Sequence, residues 1–277
     1  MTIEPKIINA GSSGEWGWHA TELAMRCPQL FAYHHRIKGA AIGGNREPLL
    51  KGSLVHQGLA HYYARVKNIN EELDPDLWAT TDAAIEACAE ELGPEATKFI
   101  DLAKKTVVAY ASHYAMETLV PMHIEEVFSG EVGGFKFTQR FDLVARNSAG
   151  KVIIVDHKTT GRISPDSSRR YTLSGQFLGM QTFGRAVWGP LFGGVTINLI
   201  EVPKWGGEFK FSRVEADPAP NALRGFPLTV LTARQRIDAL DAAGTDPWNW
   251  PKALSEQTCV TPYGFCDGFD LCRWGKP

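Results

Sequence analysis

Asp142, Asp156 and Lys158 are the residues whose types and spacing first suggest chemistry. Read as strands, FKFTQRFDLVAR and VIIVDHK carry their residues with period two. In the first, Asp142 shares a face with Thr138 and Arg140, opposite an apolar face of Phe135, Phe137, Phe141 and Leu143. In the second, Asp156 and Lys158 share a face at the end of an apolar run, where an acid and a base are otherwise costly to place. Two carboxylates from neighbouring strands beside one lysine are what metal-dependent phosphodiester hydrolysis needs. The acids hold a hard divalent cation, the cation acidifies a water, and the lysine orients that water or stabilises charge on the phosphate. The plainer alternative is a strand-end acid near solvent and a surface Asp156–Lys158 ion pair, since Asp-x-Lys tripeptides are common by chance.

The elements that must position these residues follow from pattern and turn chemistry. EEVFSGEV, a Gly133-Gly134 turn and FKFTQRFDLVAR predict a hairpin. After the NSAGK turn, VIIVDHK has apolar residues on both faces, as a central strand does. A helix is predicted from about Arg170 to Trp188, then a strand at VTINLIEV and a shorter partner around EFKFSRV. Residues 16–120 read as mostly helical: WHATELAMRCPQLFAYHHR with an interruption at Pro28, GSLVHQGLAHYYARVKN from a Ser53 cap, and FIDLAKKTVVAYASHYAMETL. A last helix is predicted near LTVLTARQRIDALDAAG. The expected architecture is α/β. A catalytic core over 124–215 follows a helical part over 16–120 and precedes a helix and cysteine-rich tail over 218–277, one domain across 1–277.

Composition narrows the function classes. With 44% hydrophobic and 22% charged residues in 277, the chain can bury a real core. A net charge of −2 excludes a charge-driven nucleic-acid coat, so any DNA contact must be local. Between Asp156 and Trp188, Lys158, Arg162, Arg169, Arg170 and Arg185 stand against Asp156 and Asp166, five minus two, a local +3. The apolar runs are too short to span a bilayer and the N-terminus has no apolar leader core, so no membrane contact and a cytoplasmic location are expected. Five cysteines in that compartment argue against a disulfide framework. Cys88, within TDAAIEACAEEL, reads as a small buried thiol, whereas Cys259, Cys266 and Cys272 crowd into the last 19 residues and Cys27 lies near the start.

FTQRFDLVARNSAGKVIIVDHKTTGR resembles the catalytic hairpin of the PD-(D/E)XK nuclease superfamily, in particular its RecB-like exonuclease branch. GSLVHQGL resembles the Gly-x-x-x-His helix of that branch, and SGQFLGMQTFGRA is similar to the helix carrying its Gln. The resemblance implies a restriction-endonuclease-like core with a small mixed sheet flanked by helices. It implies His56, Asp142, Asp156 and the main-chain carbonyl of His157 as ligands of Mg²⁺ or Mn²⁺, with Lys158 at the attacking water and Gln176 in support. Glu126 is a possible further acid, with Glu125 beside it as the alternative. Taken alone, His56 would more often be a satisfied core histidine.

MRCPQLFAYHHR resembles the Cys-Pro-x-x-Phe segment of branch members that carry an iron–sulfur cluster, and CVTPYGFCDGFDLC resembles their three-cysteine tail. The implied ligands of a 4Fe-4S cluster are Cys27, Cys259, Cys266 and Cys272, with structural zinc as the alternative for four thiolates. Such a centre would staple the two helical ends across the core. The sequence departs from the branch at Gln139, where Gly is common, at Met180, where Tyr commonly follows the Gln, at Phe141, where Pro is usual, and in its Cys-x6-Cys-x5-Cys spacing. The resemblance implies a metal-dependent DNA nuclease acting as an exonuclease on single-stranded ends. The alternatives are an iron–sulfur DNA-binding subunit of a recombination or CRISPR-adaptation complex with weak or partner-dependent activity, and a zinc-stapled protein with no DNA role. Tyr33, Tyr171 and Trp205 are aromatics that could stack on unpaired bases, although core packing is the commoner role.

Overall fold

The computed structural model describes residues 6–8, 16–40, 42–43, 46–66, 76–164, 166, 171–203, 207–261 and 264–275. Its centre is a six-stranded sheet of β1 (Lys6–Ile8), β2 (Val120–Val132), β3 (Phe135–Arg146), β4 (Val152–Thr160), β5 (Phe192–Glu201) and β6 (Lys210–Glu215), in that spatial order. Neighbours run antiparallel except β4 and β5, which are parallel. The β2–β3 hairpin closes at Val132↔Phe135, with Gly133 and Gly134 at φ 63° and 85°. Two left-handed residues in a two-residue turn match the twist of the strands, and glycine adopts that conformation without strain. The edge strand β1 is a structural addition to the reading above, since three residues carry no measurable period.

Among the described residues, six helices precede the hairpin: α1 (Trp18–Arg26), α2 (Pro28–His35), α3 (Glu47–Val66), α4 (Leu77–Leu92), α5 (Pro94–Thr97) and α6 (Ile100–His113). α7 (Gly175–Trp188) makes the crossover between β4 and β5. α8 (Pro220–Ala242), α9 (Glu256–Cys259), the small ribbon β7 (Val260–Thr261) and β8 (Gly264–Phe265), and α10 (Phe269–Trp274) follow. On one side of the sheet, α3, α4 and α6 bury Leu54, Leu59, Ile85 and Val107 against Leu143, Val155 and Ile200. On the other, α7 and α8 bury Phe177, Met180, Phe183 and Phe226 against Phe137, Phe141, Ile154 and Ile197. A third core joins α1, α2 and α8 to Trp250 and Leu271, so the beginning and end of the chain pack together.

Three expectations shift. Leu143 does not share a face with Phe137 and Phe141: it packs under α3, and they pack under α7. The alternation of β3 therefore changes sides at Asp142. α7 begins at Gly175 rather than near Arg170, and residues 167–170, with Arg169 and Arg170, lie outside the described residues. A Cβ on Gly175 would fall 2.0 Å from the Trp18 ring, so glycine lets α1 seat the start of α7 one residue before Gln176. α8 begins at Pro220, earlier than the helix predicted near LTVLTARQRIDALDAAG, and runs through Pro227. The internal proline loses a backbone hydrogen bond, and Phe226 anchors that turn between Trp18 and Phe137 at ring distances of 5.9 and 5.7 Å. Among the described residues, no helix is long and apolar enough to cross a membrane.

Candidate active site

The β3–β4 ladder ends at Leu143↔Val155. In the gap beyond, Asp142 Oδ2 accepts a hydrogen bond from the His157 backbone N–H at 2.8 Å, so a carboxylate replaces the missing ladder partner. Asp156, on the next residue of β4, has no solvent exposure. Gln176 Nε2 donates to its Oδ1 at 2.9 Å, and Lys158 Nζ lies 2.8 Å from its Oδ2. Burial pushes the Asp156 carboxyl up to about 6, Asp142 adds to the rise and the Lys158 ammonium opposes it. Burial alone would lower the Lys158 ammonium, but Asp156 and Asp142 outweigh it and hold it above its usual range. Lys158 therefore stays charged, with its Nζ 5.7 Å from the centre of the Phe177 ring.

His56 reaches the same gap from α3. Its Nδ1 lies 3.4 Å from Asp142 Oδ2 and 3.8 Å from Glu125 Oε1. Burial pulls the imidazole down, and the two carboxylates outweigh that and raise it. Gly58 seats α3 closely against α4 and α6: a Cβ there would stand 2.7 Å from Val107 of α6 and 2.9 Å from Ile85 of α4. The ligand atoms of His56, Glu125 and Asp142 all lie within 4.8 Å of one another. Asp156 is not one of that trio and stands beside it.

Between the two adjacent acids of β2, the structure distinguishes. Glu125 adopts φ 51°, a conformation costly for a residue with a side chain. It faces His56 and holds Arg140 Nε at 3.1 Å. Glu126, the residue favoured from sequence, pairs instead with His123 Nδ1 at 2.9 Å. The sequence reading put Glu126 first and kept Glu125 as the alternative, because a period-two count fails where one residue leaves the extended conformation. The signal that could have found it is the Glu-Glu pair itself.

His157 turns its ring away from the acids. It is buried between Tyr63 and Tyr110, ring distances 5.9 and 6.0 Å, and its Nδ1 lies 2.8 Å from Asn198 Nδ2. Burial holds it well below the usual histidine range, so it is neutral. Gln176 lies on α7 with Met180 and Phe183. Both of those are buried, whereas Gln176 is half-buried and finds its partner in Asp156.

Of the basic residues counted between Asp156 and Trp188, Arg185 lies near the far end of α7, roughly 14 Å along the helix from Gln176. Tyr33 is buried and its hydroxyl meets Cys272 Sγ at 3.5 Å, which removes it as a base-stacking platform. Tyr171 is half-buried and edge-on to Phe177 at 5.0 Å. Trp205 lies outside the described residues.

Cys27, Cys259, Cys266 and Cys272 line one largely apolar cavity of about 60 Å³. Cys27 is the single residue between α1 and α2, Cys259 ends α9, Cys266 follows β8, and Cys272 lies in α10. The Cys266 N–H donates to the Cys259 carbonyl at 2.8 Å. Backbone and side-chain bonds tie the two ends of the chain around this cavity: Arg26 to the Thr258 carbonyl at 2.7 Å, Gln29 Nε2 to the Pro247 carbonyl at 2.8 Å and the Gly43 N–H to the Asp267 carbonyl at 2.8 Å. Cys88 is half-buried on α4, where burial raises its thiol.

An imidazole and carboxylates converging beside a charged lysine suit a hard or borderline divalent cation. A mixed sheet carrying such acids on adjacent strands, with helices on both faces, defines a class of hydrolytic fold. A profile of the PD-(D/E)XK nuclease superfamily matches residues 18–183, and the chain belongs to that superfamily. In fold it is similar to the crystal structure of a Eubacterium rectale protein designated a candidate exonuclease, with a TM-score of 0.57, 14% identity, and coverage of 95% of this chain and 88% of that one. The structure of SSO0001, at a TM-score of 0.30 and 14% identity over 81% of this chain and 87% of that one, is too distant to bear on the fold. No curated protein matches the sequence.

Proposed function

We propose that the chain is a metal-dependent DNA nuclease of the RecB-like type that removes nucleotides from single-stranded ends. The observation that carries this reading is the convergence of His56, Glu125 and Asp142 within ligand distance, beside the buried Asp156–Lys158 pair. Asp142, Asp156, His56, Glu125 and the His157 carbonyl would hold Mg²⁺ or Mn²⁺. In an extended strand the N–H and C=O of one residue face the same neighbour, so the carbonyl of His157 is directed to the gap where its N–H meets Asp142. The bound cation supplies Lewis acidity to a water and to the scissile phosphate.

The protein groups do the rest. Asp156 fixes the Lys158 ammonium, and Gln176 fixes Asp156 by occupying its other oxygen. Because Lys158 holds its proton, it acts by orienting the attacking water and neutralising charge that builds on the phosphate, rather than by accepting a proton. The complete set of His56, Asp142, Asp156 and Lys158 favours an enzyme over a DNA-binding subunit of a recombination or CRISPR-adaptation complex, since binding alone makes no use of all four.

The four cysteines are proposed to hold a 4Fe-4S cluster. A single zinc with Zn–S near 2.3 Å needs thiolates about 3.8 Å apart. Among the described residues no three of these sulfurs lie within 4.8 Å of one another, a wider spread than a single zinc would set.

Linear and circular single-stranded DNA, each with Mn²⁺ and air-free protein, test the reading. Degradation of the linear form with the circle left intact is expected. Linearisation of circles would make it an endonuclease, and iron and sulfide analysis of the same preparation would replace the cluster by zinc if zinc alone is found.

A further inference from the structure

Behind the acids runs a buried polar circuit that the hydrolytic chemistry does not use. Asn198 of β5 is fully buried, and its amide nitrogen donates to Tyr110 Oη at 3.0 Å and faces His157 Nδ1 at 2.8 Å. Arg213 of β6 donates to the same Tyr110 oxygen at 2.9 Å. With two donors on its oxygen, Tyr110 directs its own proton to Tyr63 Oη, 2.7 Å away. Tyr63 then donates to Glu117 Oε2 at 2.9 Å, and Glu117 pairs back to Arg213. Burial raises both phenols, so both hydroxyls keep their protons. Each hydrogen bond in the circuit thus has one consistent direction, from Arg213 and Asn198 through Tyr110 and Tyr63 to Glu117.

Such a circuit is not the cheapest filling for the core, because well-packed apolar residues often serve stability as well as a buried ion pair. Its placement suggests another use. It touches His157, whose backbone N–H holds Asp142. It also touches α3 at Tyr63, seven residues from His56 and so on the same helix face. The His56 ring stands edge-on to the His157 ring at 5.9 Å, and Tyr63 stacks on that ring from the other helix turn at 5.9 Å.

We propose that Asn198, Tyr110 and Tyr63 are positioning residues that lock α3 to β4, holding His56 and Asp142 at ligand spacing before a cation arrives. The inference rests on the metal-dependent reading above, and goes beyond it by assigning the residues that tune cation affinity. Groups that orient metal ligands from behind typically contribute 10- to 100-fold in affinity or activity.

Direct Mn²⁺ binding, followed by the spin resonance of the free ion, tests this with wild type, His56→Ala, Tyr110→Phe and Asn198→Leu. Tyr110→Phe removes one oxygen and leaves the ring packing, so it decides the matter even if Asn198→Leu does not fold. The expected result is a Kd raised about tenfold or more in Tyr110→Phe, with turnover at saturating Mn²⁺ near that of wild type. A Tyr110→Phe protein that melts at lower temperature but binds Mn²⁺ as wild type does would assign the circuit to stability alone and overturn the proposal. If wild type itself binds no Mn²⁺, or His56→Ala binds it equally well, the metal reading fails first and takes the positioning role with it.

Discussion

The acid cluster and the cysteine cluster both gather their residues from distant stretches of chain, but they differ in how much scaffold holds those residues in place. His56, Glu125, Asp142 and Asp156 sit on a 20-residue helix and three long neighbouring strands, with buried cores on both faces of the sheet. Cys259, Cys266 and Cys272 sit on a four-residue helix, a two-residue strand's end and a six-residue helix, segments too short to hold their shape alone. On the proposed reading, the fold would assemble the first site ahead of any cation, whereas the second would rely on a bound centre to hold its short segments. Catalysis requires a preorganised site and a staple requires only closure, so the two demands on the protein are different.

The strongest way to break this comparison is to remove one ligand from each side. Cys259→Ser is expected to lose the centre and, with it, a closure of more than 200 residues between Cys27 and Cys259. By the chain-entropy scale for a cross-link, that is about 5 kcal/mol of stability. Thermal melting and iron content read on the same sample check it. Asp142→Ala is expected to abolish cation binding with a far smaller fall in melting temperature. Equal losses in the two variants would contradict the contrast.

Within the acid site, Glu125→Ala is expected to weaken Mn²⁺ binding about tenfold, with Glu126→Ala close to wild type, as calorimetric titration would show. The two adjacent residues thereby sharpen which of them belongs to the site.

Asp156 adds a pH dependence. Its folded carboxyl, raised to about 6, lies above its unfolded value, so the folded state favours the protonated form. That contribution is fully present below the unfolded pKa and is lost as pH rises through about 6. Above that range a buried charge is left for a cation to offset. The rise in melting temperature produced by Mn²⁺ is therefore expected to be larger at about pH 8 than at about pH 5. An equal rise at both would place Asp156 outside the cation's reach.

The smallest effect concerns Gln139, a position where relatives commonly carry glycine, whose buried side-chain oxygen lies against Gly179 and has no hydrogen-bond partner among the described residues. Gln139→Met is expected to stabilise the protein by about 1 kcal/mol, because it removes an unsatisfied acceptor while filling the same space. Denaturant titration measures it.

Much of the fold was legible because its elements are long and their periods clean. The Gly133-Gly134 hairpin, the doubly buried β4 and the helical run before them all follow from spacing and turn residues. Asp142, Asp156 and Lys158 were visible for the same reason, as charges at the ends of apolar strands. What stayed hidden depends on local departures from regularity or on contacts across the fold. The choice of Glu125 over its neighbour Glu126 turns on a left-handed backbone at Glu125, which a period-two count does not show. Tyr63, Tyr110, Asn198 and Arg213 come from α3, α6, β5 and β6, and only the packed sheet brings them together. Tyr33 belongs to the cysteine cavity rather than to a DNA surface, which depends on where α10 returns.

The most direct test of the central claim, that the sheet's split edge is a hydrolytic centre worked by Lys158, is end-labelled single-stranded DNA digested with Mn²⁺ by wild type and by Lys158→Ala. Release of labelled nucleotides by wild type is expected, with a loss of about a hundred- to a thousandfold in rate in the variant and Mn²⁺ binding retained. Equal digestion by the two proteins, or intact DNA in both while Mn²⁺ is bound, would contradict it.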